Sequence, residues 1–139
     1  MKQLSRTALC RAIVLVALVA AGCGTAPSKM MELHRLKSGM LDVVLLSPHD
    51  GLRHGKDTFV VEFRSPSDGS LTDVGNVSGS ANMPMAGTPM LGTIDVARTE
   101  LAGRYAATAE LSMAGTWRMT IQWDGPTGKG SVTFAGAVQ

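Results

Sequence analysis

The sequence predicts an all-β protein, an immunoglobulin-like antiparallel β-sandwich of about seven strands that follows a signal peptide and a tether. Three observations support this fold class. Short β-branched and apolar segments recur between turn signals, their side chains alternate with a period of two, and no long helical period appears after residue 39. The alternation places one face of each strand in a core between two sheets and the other face in water.

The predicted strands are spaced as in a sandwich, with turns rich in glycine, proline, serine and aspartate between them. They span residues 40–47, 57–65, 71–83, 92–99, 103–112, 115–124 and 129–138. Two of them alternate most clearly, and we expect their apolar faces to be buried: Phe59, Val61 and Phe63 in one, and Trp117, Met119, Ile121 and Trp123 in the other. The glycine-rich segment 71–83 is expected at a sheet edge.

The chain begins with the parts of a secretion signal. Lys2, Arg6 and Arg11 supply positive charge, and an apolar run of ten residues, 12–21, follows them. That run is too short for a membrane-spanning helix, which needs about 20 residues. A short buried helix would be the alternative, but the charges and the position favour export from the cytoplasm.

The end of this run, Ala20-Ala21-Gly22-Cys23, resembles the lipobox of bacterial lipoproteins, in which leucine usually holds the first position. The resemblance implies cleavage after residue 22 and attachment of lipid to Cys23. The protein would then be anchored to a membrane on its extracytoplasmic, periplasmic side. Because Gly24 rather than aspartate follows, the outer membrane is favoured if the host has one. An ordinary secretion signal cut at another position is the alternative.

These features divide the chain into three parts: a lipoprotein signal peptide at 1–22, the lipidated cysteine and a tether at 23–39, and one β-sandwich domain at 40–139. The tether has linker residues at its start, and its apolar residues at 30–36 are spaced for one or two helical turns. Ser28 would cap such a helix and Gly39 would end it.

Composition excludes several classes of function. Without the signal, ten basic residues face 11 acidic ones, so no nucleic-acid partner is expected. Cys10 leaves with the signal and Cys23 carries lipid, which removes disulfides and thiolate metal sites. No Gly-x-Ser-x-Gly motif and no free cysteine beside a histidine is present, so we expect no enzyme. The segment 125–131 lacks the spacing of a phosphate loop and is predicted to be a hairpin.

Methionines are the unusual feature. Met83, Met85 and Met90 lie in ANMPMAGTPML, and Met113 lies in LSMAGTW. Pro84 favours an extended backbone that keeps Met83 and Met85 close. Thioether sulfur is neutral and polarisable, so it prefers Cu(I) or Ag(I) to Zn²⁺ or Mg²⁺. Three such ligands would suit Cu(I), with Met113 as a fourth ligand or as the side chain that closes the bottom of the site. Two thioethers with one histidine of the segment 49–54 would also suit it.

Two other interpretations stay open. Methionine is a flexible gap-filler, so the same side chains can cap the open end of a sandwich core. Exposed methionines can also form an adaptable surface for protein binding. In each case we expect Trp117 to lie beneath the methionine loop, where a bound Cu(I) would quench its fluorescence.

Five segments carry a resemblance to the YtkA-like family, which is related to FixH-like domains: 55–61, 67–70, 83–90, 103–105 and 111–117. The resemblance spans residues 41–123 and implies an immunoglobulin-like sandwich that is exported or lipid-anchored. It also implies association with heavy-metal or copper efflux systems. The four methionines match the methionine motif of the family, whereas Ala86 and Thr88 stand where richer relatives could add ligands.

The resulting expectation is a lipid-anchored extracytoplasmic protein of metal homeostasis. It would bind Cu(I) or Ag(I), or otherwise carry no cofactor, and its partners would be the membrane and components of a metal efflux system. The alternative is a metal-free interaction module that docks on an efflux adaptor or supports assembly of a membrane complex.

Overall fold

A computed structural model describes residues 29–139; the secretion signal, Cys23 and the first part of the expected tether lie outside the described residues. The described part contains strands and no helix, so none of its segments is a helix long and apolar enough to cross a membrane. Its strands are β1 (Met31–Ser38), β2 (Leu41–Ser47), β3 (Gly55–Arg64), β4 (Asn76–Met83), β5 (Met90–Arg98), β6 (Arg104–Leu111), β7 (Gly115–Gly125) and β8 (Gly128–Val138).

All neighbouring strands pair antiparallel in the order β1-β2-β3-β6-β5-β4-β7-β8. The sheet folds over itself into two layers and nearly closes. Phe63 of β3 meets Trp123 of β7 across the core, with ring centroids 5.1 Å apart. At the seam, the ring of His34 in β1 lies 5.7 Å from that of Phe134 in β8. The predicted antiparallel sandwich is therefore confirmed, with eight strands in the described part rather than seven.

The period-two alternation correctly identifies the core. The side chains predicted to be buried on β3 and β7 are no more than 5% exposed: Phe59, Val61, Phe63, Trp117, Met119, Ile121 and Trp123. Burial of this apolar area is the main source of stability in such a sandwich, at roughly 25 cal/mol per Å².

The helical turns expected in the tether are wrong. The structure places β1 there, so the sheet begins at Met31 rather than at Met40. A short isolated helix gains little in water, whereas β2 offers a free edge for pairing. Gly39, with φ of +59°, allows the tight turn that joins β1 to β2.

Strand β2 is buried on both faces, which explains its need for a covering edge strand. Val43 and Val44 point to opposite faces and neither is exposed. On the outer face, Arg35 of β1 donates from Nη1 to Oδ2 of Asp42 over 3.2 Å. Beside it, Arg64 Nε donates to the buried carboxylate of Glu62 over 2.7 Å. The arginine stems cover this face while their charged ends reach water.

The predicted strand 71–83 begins later, at Asn76, because a turn precedes it. Its expected place at a sheet edge is wrong, since β4 pairs with β5 on one side and with β7 on the other. The Asp73 carboxylate accepts a hydrogen bond from the backbone N–H of Gly75 over 2.9 Å, and this bond, together with Arg98, holds the pKa of Asp73 below its usual range. Gly75 has a φ of +82°, and a Cβ there would lie 2.6 Å from the carbonyl oxygen of Asp124. Tyr105 fixes the turn, since its hydroxyl donates to the carbonyl of Gly75 over 2.9 Å.

Tyr105→Phe tests this anchor. We expect the free energy of unfolding to fall by about 1 kcal/mol, because the half-buried Gly75 carbonyl loses its donor. The ring itself should stay packed edge-on against Phe63, at the present centroid distance of 5.5 Å. Urea unfolding followed by tryptophan fluorescence measures the change. A variant as stable as the parent would show that the turn holds without the hydroxyl.

Candidate functional site

The four candidate methionines lie at one end of the sandwich. Met83 ends β4, Met90 begins β5, Met85 lies in the β4–β5 loop, and Met113 lies in the β6–β7 turn. We refer to the end defined by these four residues as the methionine end. The sequence predicted the set, and the topology brings its members to the same rim.

Strand register places three of the methionines side by side. Met83 and Met90 are direct cross-strand partners in the β4–β5 pair, so their Cβ atoms lie about 5 Å apart. The β5–β6 pairing includes Thr93 opposite Glu110. The same register continued by three residues brings Met90 opposite Met113. The methionines therefore form a row across β4, β5 and the β6–β7 turn.

The members of this row differ in burial. Met83 is 8% exposed and belongs to the core. Its methyl group packs on Gly115, where an added Cβ would lie 2.7 Å from Cε of Met83. Met90 is half-buried and packs against the same core, whereas Met85 and Met113 are exposed. Two thioethers thus lie at the rim of the core and two face solvent.

Trp117 forms the floor of the methionine end, as the sequence suggested. Its side chain is fully buried, and its indole Nε1 donates to the carbonyl oxygen of Met113 over 3.0 Å. A Cβ at Gly92 would lie 3.0 Å from Cζ3 of the indole, so the ring also packs beneath β5. This hydrogen bond fixes the β6–β7 turn, and with it the backbone position of Met113.

Sequence reasoning missed one polar group at this end. The Ser112 hydroxyl donates to the Sδ of Met90 over 2.8 Å, which makes the thioether an acceptor, although a weak one. This contact joins the start of β5 to the β6–β7 turn, 22 residues away in the sequence, and has no local sequence signal. One lone pair of the Met90 sulfur is therefore occupied.

The histidines considered as ligands, His49 and His54, lie in the β2–β3 loop at the same end of the sandwich. The ring Nδ1 of His54 lies 2.9 Å from the carbonyl oxygen of Gln139. Within residues 29–139, no group of three or more histidine, cysteine, aspartate or glutamate side chains is arranged to hold a metal ion. A metal ion at the methionine end would therefore depend on the thioethers.

The two segments that carry Met85 and Met113 are uncharged, whereas the β2–β3 loop at the same end carries Asp50 and Arg53. Neither the β4–β5 loop, 84–89, nor the β6–β7 turn, 112–114, contains a charged residue. Neutral sulfur ligands without a carboxylate offer little to Mg²⁺ or Zn²⁺, but they match the ligand preference of Cu(I) and Ag(I). Cys23, the residue expected to carry lipid, lies outside the described residues.

Alanine substitutions at Met83 and Met113 distinguish a methionine that supports the core from one that faces solvent. We expect Met83→Ala to lower the free energy of unfolding by about 2–4 kcal/mol, because it leaves a cavity at the rim of the core. The matched change Met113→Ala should cost less than about 1 kcal/mol, since that side chain is 42% exposed. Urea unfolding of both variants checks this. Equal losses would show that Met113 supports the core as much as Met83 does.

Comparisons with known proteins identify relatives of the fold. No curated protein matches the chain by sequence. Among solved structures, the chain is similar to the crystal structure of FetP from uropathogenic E. coli strain F11, which was expressed recombinantly in the periplasm of E. coli. The identity is 12% and the TM-score 0.50, over 78% of this chain and 95% of FetP. At this identity the likeness concerns the fold alone.

The sequence itself matches a family model. The model of the YtkA-like family covers residues 35–122, which includes β2 to β6, half of β1, most of β7, and all four methionines of the methionine end. The match agrees with the eight-stranded sandwich and spans more than half of the chain. The chain therefore belongs to the YtkA-like family.

Proposed function

We propose that this protein is a lipid-anchored extracytoplasmic protein of metal homeostasis that binds Cu(I) or Ag(I) at the methionine end. Met83, Met90 and Met113 would supply the row of thioethers, and Met85 would add a ligand from the flexible loop above it. The lipid anchor would be Cys23, placed there by the N-terminal signal. Metal efflux systems are the expected partners.

The row of methionines across three neighbouring segments is the observation that carries this proposal. Met83 and Met90 are direct cross-strand partners, and Met113 lies where the β5–β6 register leads beyond its last pair, Thr93 and Glu110. Membership of the YtkA-like family supports a metal-related role outside the cytoplasm. The uncharged loops and the absence of a carboxylate or histidine cluster among residues 29–139 favour a soft ion.

A metal-free interaction module is the second candidate. The exposed side chains of Met85, Leu91 and Met113 favour it, because they place adaptable apolar groups at one end of the domain. Such a module would dock on an efflux adaptor or support assembly of a membrane complex. It would need the apolar volume of the methionines but not their sulfur.

Titration with Cu(I) against a competing chelator distinguishes the two functions. We expect one Cu(I) per chain and loss of most of this binding in the variant Met83→Leu, Met85→Leu, Met90→Leu, which keeps apolar volume and removes sulfur. Bound Cu(I) should also quench Trp117 fluorescence. A control variant, Met31→Leu with Met40→Leu, removes two exposed methionines outside the row. Equal binding by all three proteins would refute the thioether site.

Ser112→Ala provides a second test, in which Cu(I) affinity is expected to rise rather than fall. The hydroxyl occupies a lone pair on the Met90 sulfur, so a metal ion has to displace that hydrogen bond. Removing a bond worth about 1 kcal/mol should raise Cu(I) affinity roughly fivefold. Ser131→Ala serves as a control on a distant exposed strand position. Weaker binding by Ser112→Ala would instead show that the hydroxyl positions Met90 for the ion.

A further inference from the structure

We infer that the methionine end of the sandwich rests on the surface of the lipid bilayer to which the chain is anchored. The inference depends on the lipidation of Cys23, which belongs to the proposed function, and it is independent of metal binding. Two observations carry it: the place where the tether enters the domain, and the distribution of exposed apolar side chains.

The tether enters the domain at the methionine end. Strand β1 begins there, because Met31 pairs with Ser47 at the end of β2. At the same end, Gly55 at the start of β3 pairs with Leu111 at the end of β6. The lipidated cysteine would therefore be joined directly to the end of the sandwich that carries the methionine row.

The tether is too short to allow the opposite orientation easily. Eight Cα–Cα steps separate Cys23 from Met31, which gives a reach of at most about 28 Å. The strands contain 7 to 11 residues, and at about 3.3 Å per residue they are roughly 23–36 Å long. To turn the far end toward the bilayer, the tether would have to run almost straight along the whole domain. With the methionine end down, the same number of residues has a much shorter distance to span.

Exposed apolar side chains are concentrated at the same end. Four large exposed ones lie at or beside it: Met31, Met85, Leu91 and Met113. Met40 and Leu101 lie at the far end, in turns separate from each other in sequence. The two methionine loops contain no charged residue, so their own contact with the interface carries no cost of ion desolvation. The exposed charges at this end, Asp50 and Arg53, lie in the separate β2–β3 loop and would stay among the lipid headgroups. Apolar side chains at the end of a lipidated tether add to the affinity of the acyl chains for the membrane.

This orientation would determine which proteins can reach the proposed metal site. An ion bound by the methionine row would lie at the membrane surface, shielded from the aqueous compartment. It would be exchanged with a protein embedded in the same membrane more readily than with a soluble carrier.

Spin labels at two exposed positions test the orientation. Leu91→Cys labels the methionine end and Met40→Cys labels the far end, where the parent side chains are 76% and 85% exposed. Neither residue belongs to the methionine row. In the mature lipidated chain the sulfur of Cys23 is blocked, so each label attaches to a single site. The lipidated proteins are reconstituted in vesicles of phosphatidylethanolamine and phosphatidylglycerol.

Collision of each nitroxide with oxygen, which concentrates in lipid, is compared with collision with a water-soluble nickel complex. We expect the oxygen-to-nickel ratio to be several-fold higher at position 91 than at position 40. Equal ratios typical of water, or a higher ratio at position 40, would overturn the inference. Protection of position 91 from both reagents would also overturn it, because that result indicates contact between protein surfaces.

Failure of this test is distinguishable from failure of the proposed metal site. A mature protein without acyl groups by mass spectrometry, which does not float with the vesicles, would overturn the orientation by removing the anchor. Copper binding is measured on the same protein in a separate titration. The two results therefore vary independently.

Discussion

The two-residue alternation of antiparallel strands is the constraint on which both the core and the candidate site depend. Along β7 it sends Trp117, Met119, Ile121 and Trp123 into one core. The same alternation places the methionines at the ends of the core-facing rows of three strands. In β4, Met83 follows Ala81; at the end of β6, Met113 follows Leu111. In β5, Met90 precedes Gly92 and Ile94 on the same face. The methionine row is thus the last layer of the core, at the point where the core meets solvent.

This arrangement means that packing and metal binding are not exclusive roles for the same side chains. Met83 is held in the core and packs on Gly115, so its sulfur has few orientations. The backbone of Met113 is fixed by the Trp117 indole. The Ser112 hydroxyl holds the Met90 sulfur in the free protein and would have to give way to an ion. A site built from restrained side chains loses little conformational entropy when it binds a ligand. Met85, in the β4–β5 loop, is exposed and has no such restraint from the core.

Sequence reasoning identified most of the fold because local patterns determined it. Strands β2, β3 and β5 to β8 were found through alternation and turn residues, and Trp117 was placed correctly beneath the methionine end. Strand β1 was missed because eight residues with apolar side chains at spacings of two and three fit both a helix and a strand. The start of β4 was misplaced because the turn at Gly75 is held by Tyr105, a residue 30 positions away. The Ser112–Met90 contact depends in the same way on strand register, which a single sequence does not state.

The near-closure of the sheet affects how copies of this domain behave when they are crowded together. Open sheet edges are templates for pairing with other chains, and proteins protect them. Here β1 and β8 approach each other at His34 and Phe134, and the backbone N–H of Gln139 donates to the carbonyl of Leu52 over 2.9 Å. These contacts leave little free edge in the described part of the chain. Copies of this domain at high local concentration would therefore collide without adding strands to one another.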